Sequence, residues 1–285
     1  MNHAMRSVRT FQADSSVIAL AKRVTKQLFN TIGLEIRKKQ HDGMPRASMA
    51  GALNQLSTLG FDPQTVIDVG VAYHTSELYQ QFKKAGILLI EPLVEFEPFL
   101  RGICSSYNAQ YVLAAAGENP GTSVLNVHPD RVGSSFLKEI EGPNVDGSPR
   151  TVPVVTIDQL TAEKNLSGPF LIKVDVQGAE LQVLSGAART LRETEIVILE
   201  VTLFGTMLGG PQFFDIVHWM KQSRFVAYDI FGFHYRPLDN ALCQVDMAFV
   251  REDGPFRKSH AYATPEQRQA HTESLRSQLI ALERK

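Results

Sequence analysis

The sequence predicts an α/β fold, a mostly parallel sheet of seven strands with helices on both faces. Two observations carry that expectation. From about residue 60, short apolar runs alternate with segments whose apolar residues recur at helical spacing, the pattern of a parallel sheet covered on both sides. In addition, several of the apolar runs end in Gly or a single acid, the places where open α/β sheets bind ligands.

The elements follow in order. Residues 1 to about 15 are polar and without period, and are expected to be disordered. From Ser16 to Lys39, Val17, Leu20, Ala21, Val24, Leu28 and Ile32 recur at helical spacing, with Lys22, Arg23, Lys26, Arg37, Lys38 and Lys39 elsewhere. This is either a helix packed on the domain with solvated bases or an interfacial helix touching anionic membrane. HDGMPRA at 41–47 reads as a linker, and Ser48–Leu59 as a short helix closed by Gly60. Strands are expected at Thr65–Val69, Ile87–Ile90, Tyr111–Ala115, Phe170–Val174, Ile196–Val201, Phe225–Ile230 and Gln244–Val250. Helices are expected at Thr75–Ala85, Glu95–Ser105, Ala179–Leu191 and Pro211–Gln222. Between the third and fourth strands lies a long insertion at 117–166, with β-rich runs Thr122–Val127 and Val152–Ile157. An insertion of this length is expected to lie over the strand ends. The tail from Pro265 reads as a helix packing through Leu275, Leu279 and Leu282. Three units result: a helical extension and linker (1–47), a main domain (48–258) and a helical tail (259–285).

Composition narrows the function classes. The chain has 285 residues, 29 Lys plus Arg against 30 Asp plus Glu, and a formal net charge of -1, so no global field favours nucleic acid or anionic lipid. Its two cysteines, Cys104 and Cys243, have no metal-ligand spacing, no metal set is expected, and both read as small buried hydrophobes in a reducing compartment. The apolar run Val17–Ala21 is too short for a signal-peptide core, and nothing approaches the roughly 20 apolar residues of a membrane span. A cytoplasmic protein without stable membrane insertion is expected, with peripheral contact left open; its oligomeric state is not legible.

The stretch Thr65–Pro92, TVIDVGVAYHTSELYQQFKKAGILLIEP, organises the ligand argument. A strand ends Asp68-Val69-Gly70, a helix follows, and the next strand ends Glu91-Pro92. Gly70 permits close backbone approach, Asp68 can hold an ammonium directly or through water, and Glu91 can accept from both ribose hydroxyls. This combination reads as a site for S-adenosylmethionine. A dinucleotide site would need Gly-x-Gly-x-x-Gly, and Gly70-Val71-Ala72-Tyr73-His74-Thr75 has no second or third glycine, which disfavours a nicotinamide dehydrogenase.

The fourth strand is more distinctive: FLIKVDVQGAELQVLSGA from Phe170. Alternation puts Lys173 and Asp175 on one side of the sheet, with Asp175 at its end. Glu180 falls in the first turn of the next helix, and Glu200 closes the run Ile196–Leu199. Such a charged group at adjacent strand ends favours function over stability alone. The Gly133-Ser134-Ser135 turn, His234, and an apolar set of Phe204, Met207, Leu208, Phe213 and Phe214 are further candidates for the pocket.

TVIDVG, LLIEPL, VPVVTIDQL, FLIKVDVQGAELQVLSGA and VILEV, with AYDIFGFHYRPLDNALCQVDMAFV further on, resemble the FkbM family of S-adenosylmethionine-dependent methyltransferases over about Leu53–Asp253. The resemblance implies a Rossmann-like class I methyltransferase fold with an antiparallel last strand. It also implies O-methylation of a sugar, glycan or secondary metabolite. Cofactor candidates are Asp68, Gly70, Val71, His74, Glu91, Pro92, Ala116 and Ser135; catalytic candidates are Asp175, Glu200 and Lys173. Two positions depart from the family pattern, His74 where Gly is common and Gln177 where Glu is common. They leave a second reading open, a binding or scaffold protein that keeps the fold without turnover.

Overall fold

The computed structural model describes residues 46–142 and 144–283. The expected amphipathic helix at 16–39 lies outside them, as does most of the linker. No helix among the described residues is long and apolar enough to cross a membrane.

Helix α1 (Met49–Thr58) is N-capped by the Ser48 hydroxyl, which accepts from Gly51 N, and buries Ala52, Leu53 and Leu56. Strand β1 (Thr65–Val69), helix α2 (Ser76–Gln81), strand β2 (Gly86–Ile90), helix α3 (Glu97–Ser106) and strand β3 (Ala109–Val112) follow. The third apolar run then leaves the main sheet. Ala115 and Ala116 form a short strand β4 that pairs with Val154 and Val155 instead. With β5 (Gly121–Val127) and β6 (Ser148–Val155) it makes a separate three-stranded sheet in the order β4-β6-β5.

Helix α4 (Ile157–Glu163) was not expected; the run Val152–Ile157 stops at Val155 because Thr156 caps a helix, its hydroxyl accepting from Gln159 N at 3.0 Å. The Thr-x-x-Gln spacing was a readable helix-start signal. Strand β7 (Phe170–Val174), helix α5 (Glu180–Ser185), strand β8 (Thr194–Thr202), helix α6 (Phe213–Gln222), strands β9 (Phe225–Tyr235) and β10 (Leu242–Arg251) and helix α7 (Pro265–Glu283) complete the chain. Helix α5 stops well short of Leu191. A Cβ at Gly186 would lie 2.1 Å from the Gly117 carbonyl oxygen, and beyond it the Asp158 carboxylate accepts from Arg189 N and Thr190 N. The chain there turns as a 3-10 segment, Thr190–Glu193. Helix α7 forms, but Leu275, Leu279 and Leu282 are exposed and no residue of the helix is buried. The expected packing face is therefore corrected: it packs on nothing among the described residues.

The main sheet runs β3-β2-β1-β7-β8-β10-β9. Pairs β1·β2, β2·β3, β1·β7 and β7·β8 are parallel, and β10 is antiparallel to both β8 and β9. Apolar layers cover both faces, one around Ile67, Ile172, Val183 and Met247, the other around Leu53, Leu78, Leu89 and Leu171. Chain order reverses between β1 and β7, so the strand ends there open a crevice where such sheets take ligands.

Candidate functional site

The crevice is a cavity of about 550 Å³ at the carboxyl ends of β1, β2 and β7. Its size falls in the roughly 300–1,000 Å³ range of small-molecule sites. Of the expected cofactor residues, Gly70, Val71, His74, Glu91, Pro92 and Ala116 line it, and Lys173 and Asp175 close its inner end. Gly70 turns at φ 76°, and a Cβ there would sit 1.8 Å from the Asp175 carbonyl oxygen, so only glycine fits between the two strand ends. Glu91 is buried, with Oε2 accepting from Ala72 N and Oε1 from Leu93 N, each at 3.0 Å. Burial raises its carboxyl above the ordinary range, and those two N–H groups oppose the rise. His74 is exposed at the rim. Leu93, Phe96, Ala115, Leu125 and Phe136 supply an apolar wall, so the insertion does lie over the strand ends.

Three expected residues are not on the cavity surface. Asp68 is wholly buried, takes the Tyr79 hydroxyl proton in a hydrogen bond and has Lys173 Nζ 3.7 Å from Oδ1. Its carboxylate faces the interior and holds the lysine rather than the cavity. The buried Ser135 hydroxyl donates to the Gln177 carbonyl at 2.7 Å and accepts from Leu137 N, while Ser134 takes the place at the cavity. Glu200 lies on the far side of Asp175 and lines a second hollow.

That hollow, about 460 Å³, is bordered by Asp175, Gln177, Glu200, His234, Gln244 and Asp246 among others, and it shares Asp175, Val132, Gly232 and Asp246 with the first. His234 is brought to it as expected. The apolar set is not: Leu208, Phe213 and Phe214 are exposed, and none of the five lines either hollow. Sequence reading missed Gly232, Gln244 and Asp246. The signals were present, since Gln244 and Asp246 are polar at i and i+2 of an apolar strand, on one face. A Cβ on Gly232 would lie 2.2 Å from Asp246 Oδ2, a close approach of the kind a strand glycine marks.

Electrostatics sets this region apart. Asp68, Asp175, Glu200 and Asp246 lie around one buried ammonium, Lys173, which sits 3.2 Å from Asp175 Oδ2. Burial alone would lower the Lys173 ammonium, but Asp175 and Asp68 outweigh it and hold it above the usual lysine range. Burial pushes Glu180 up to about 7, against hydrogen bonds from Gly178 N and Val176 N. Burial also pushes Asp246 up to about 6. For Glu200, burial and then the Asp175 charge raise the carboxyl well above its ordinary value. Chemically, the arrangement joins an apolar cavity with one hydrogen-bonding acid to a polar hollow in which burial raises the carboxyls of Glu200 and Asp246.

No curated protein matches the chain. Solved structures that resemble it include the Burkholderia thailandensis 1,6-didemethyltoxoflavin-N1-methyltransferase with bound 1,6-didemethyltoxoflavin and S-adenosylhomocysteine (10% identity, 86% of this chain and 93% of that one, TM-score 0.39). Two others are the magnesium protoporphyrin IX methyltransferase of Synechocystis PCC 6803 with bound S-adenosylmethionine (10%, 85% and 100%, 0.38) and the bifunctional kinase-methyltransferase WbdD (18%, 70% and 36%, 0.39). At these scores the likenesses carry no weight for what this chain does. The sequence match does: residues 67–227, more than half of the chain, match the methyltransferase FkbM domain. The chain belongs to the FkbM methyltransferase family.

Proposed function

We propose that this methyltransferase uses S-adenosylmethionine and directs the methyl group to a hydroxyl of a sugar, glycan or secondary metabolite. The observation that carries the reading is the meeting of the two hollows at Asp175. The residues of the first hollow suit the cofactor. Glu91 keeps acceptor capacity for two ribose hydroxyls beyond the two backbone N–H groups it already binds. Gly70 lets a ligand lie close to the backbone, and the wall around Phe96 and Phe136 suits an adenine ring. When bound, the cofactor supplies an electrophilic methyl on a sulfonium.

The chain's own residues do the rest. The second hollow is polar and suits a hydroxylated acceptor. Asp175, ion-paired to Lys173, accepts the hydrogen of the reacting hydroxyl and fixes its direction. An alcohol is far less acidic than a carboxylic acid, so alignment contributes more than proton removal, which Asp175 completes as the oxygen becomes an oxonium. Asp68 keeps Lys173 in place, and Tyr79 keeps Asp68 in place.

Titration with S-adenosylhomocysteine and with NAD tests the cofactor: micromolar binding of the first and none of the second is expected, and no binding of S-adenosylhomocysteine would remove the proposal. Transfer of labelled methyl from S-adenosylmethionine to a panel of polyols, amines and thiols tests the acceptor atom. Binding without transfer to any acceptor is what the scaffold reading predicts. On an identified acceptor, full turnover by Asp175→Asn would end the role given to Asp175.

A further inference from the structure

Gln177 keeps a side chain where the backbone favours none. Its φ is 55°, in the left-handed region, and Gly178 follows at 96°. Such a conformation is costly for any residue but glycine and persists only where neighbours hold it. Two do: the Ser135 hydroxyl donates to the Gln177 carbonyl at 2.7 Å, and Gly178 N donates to Glu180 Oε1 at 3.0 Å. Both contacts are made by backbone, so a glycine at 177 would keep them without strain. The reason for a side chain here lies in what its amide touches.

It touches two carboxyls. Gln177 Nε2 donates to Glu200 Oε2 at 2.7 Å and to Asp175 Oδ1 at 3.3 Å, one amide hydrogen for each. Among the described residues no other side chain donates to both. Lys173 Nζ already lies 3.2 Å from Asp175 Oδ2, so each Asp175 oxygen has a donor of its own and still a lone pair free. Gln244 Nε2 gives Glu200 Oε2 a second hydrogen at 3.1 Å. Burial and the Asp175 charge raise the Glu200 carboxyl, and these two amide hydrogens oppose the rise. The other charged or titratable groups facing the pair are Lys173 on β7, Asp68 behind it on β1, Glu180 from α5, Cys243 and Asp246 from β10, His234 from β9, and Asp130 from the turn bordering the hollow.

We propose that Gln177 is a positioning residue for methyl transfer: its amide ties Asp175 to Glu200 and keeps the Asp175 carboxylate turned toward the reacting hydroxyl. This rests on the reading of the second hollow as the acceptor site. A half-buried carboxylate anchored through one oxygen alone can turn about its side-chain bonds. Fastened at both oxygens, its plane is fixed, as alignment of the hydroxyl with the methyl donor requires. The same amide lets two like charges lie side by side, because each receives a hydrogen from it.

Selective nitrogen-15 labelling of glutamine side chains in the full chain, with Gln177 assigned from Gln177→Gly, tests the bridge by NMR without cofactor or acceptor. Asp175→Asn is expected to move one of the two Gln177 amide protons most, and Glu200→Gln the other. If both substitutions act on the same proton, or on neither, there is no bridge and the proposal falls. On an identified acceptor, Gln177→Gly is expected to lower kcat about 10- to 100-fold. Affinity for S-adenosylhomocysteine should stay within about threefold, since Gln177 does not line the first hollow, and the melting temperature should be no lower, since glycine relieves the backbone. Gln177→Glu has the same shape but a hydrogen to share only when protonated, so its kcat relative to the native protein should fall about tenfold as pH rises from 5.5 to 8.5. A merely structural glutamine would instead lower the melting temperature and leave the pH profile alone, and that result, or an unchanged kcat in Gln177→Gly, would overturn the proposal. An intact bridge in a protein that transfers methyl to no acceptor would overturn the methyl-transfer reading, and this role with it.

Discussion

At the carboxyl edge of the sheet, the β1–β2 side and the β7–β8–β10 side handle buried polar groups by different means. On the first side one acid, Glu91, is satisfied at both oxygens by backbone N–H groups, and its surroundings are apolar. On the second, Glu180 also takes backbone N–H groups, but Asp175 and Glu200 are held by side chains, namely Lys173, Gln177 and Gln244. Backbone donors are fixed by the fold and give a rigid cradle. Side-chain donors can be exchanged by single substitutions, and burial with the Asp175 charge raises the Glu200 carboxyl that two of them hold. The first region therefore suits the constant recognition proposed for it, and the second the proposed chemistry.

The largest effect is expected where the second region depends on one ion. Lys173→Met leaves the wholly buried Asp68 and the half-buried Asp175 without a cation, and urea unfolding should show a loss of about 3–5 kcal/mol. A loss below about 1 kcal/mol would mean that the ammonium does not balance the acids.

Next comes pH. The Glu180 carboxyl is raised to about 7 by burial, above an unfolded value near 4.3. Its contribution is therefore full below about pH 4.3 and is lost as pH rises through 7, on the order of 3 kcal/mol in all. Asp246, raised to about 6, adds in the same direction. Unfolding free energy measured from pH 4.5 to 8 should flatten in Glu180→Gln, whose side-chain oxygen still accepts from Gly178 N. An unchanged slope would remove Glu180 from the titrating set.

The first region should respond in affinity. Glu91→Ala is expected to weaken S-adenosylhomocysteine about 10- to 100-fold by calorimetry, the size of lost hydrogen bonds to a charged group. The smallest effect belongs to the rim: His74→Gly should change that affinity less than about threefold, since His74 is exposed and the cradle is backbone. A tenfold change in either direction would show that side chains shape the first region as well.

How much of this was legible varies with the element. The main-sheet strands read clearly because a strand buried on both faces is a run of Val, Ile and Leu. Helix ends read poorly. Helix α5 stops at Ser185 because Gly186 meets the Gly117 carbonyl and Asp158 captures the following N–H groups, contacts from residues far away in the chain. Leu275, Leu279 and Leu282 had the spacing of a packing face, and spacing says nothing about whether a partner surface is present. At the site, Gly70, Glu91, Lys173 and Asp175 were legible as strand-end residues. Asp246 and Gln244 were not picked out, although their i, i+2 polarity marked them.

The sequence by itself determined the order of strands and helices, the strand ends on which polar residues fall, and the family. Each follows from local pattern, read over a few residues at a time. The tertiary structure alone decided which polar groups meet: that Asp68 turns inward to Lys173, that Ser134 rather than Ser135 faces the cavity, and that Gln177 and Gln244 share one oxygen of Glu200. Those contacts join β1, β7, β8 and β10, strands up to about 180 residues apart in the chain, and only the crossovers of the sheet bring them within hydrogen-bond distance.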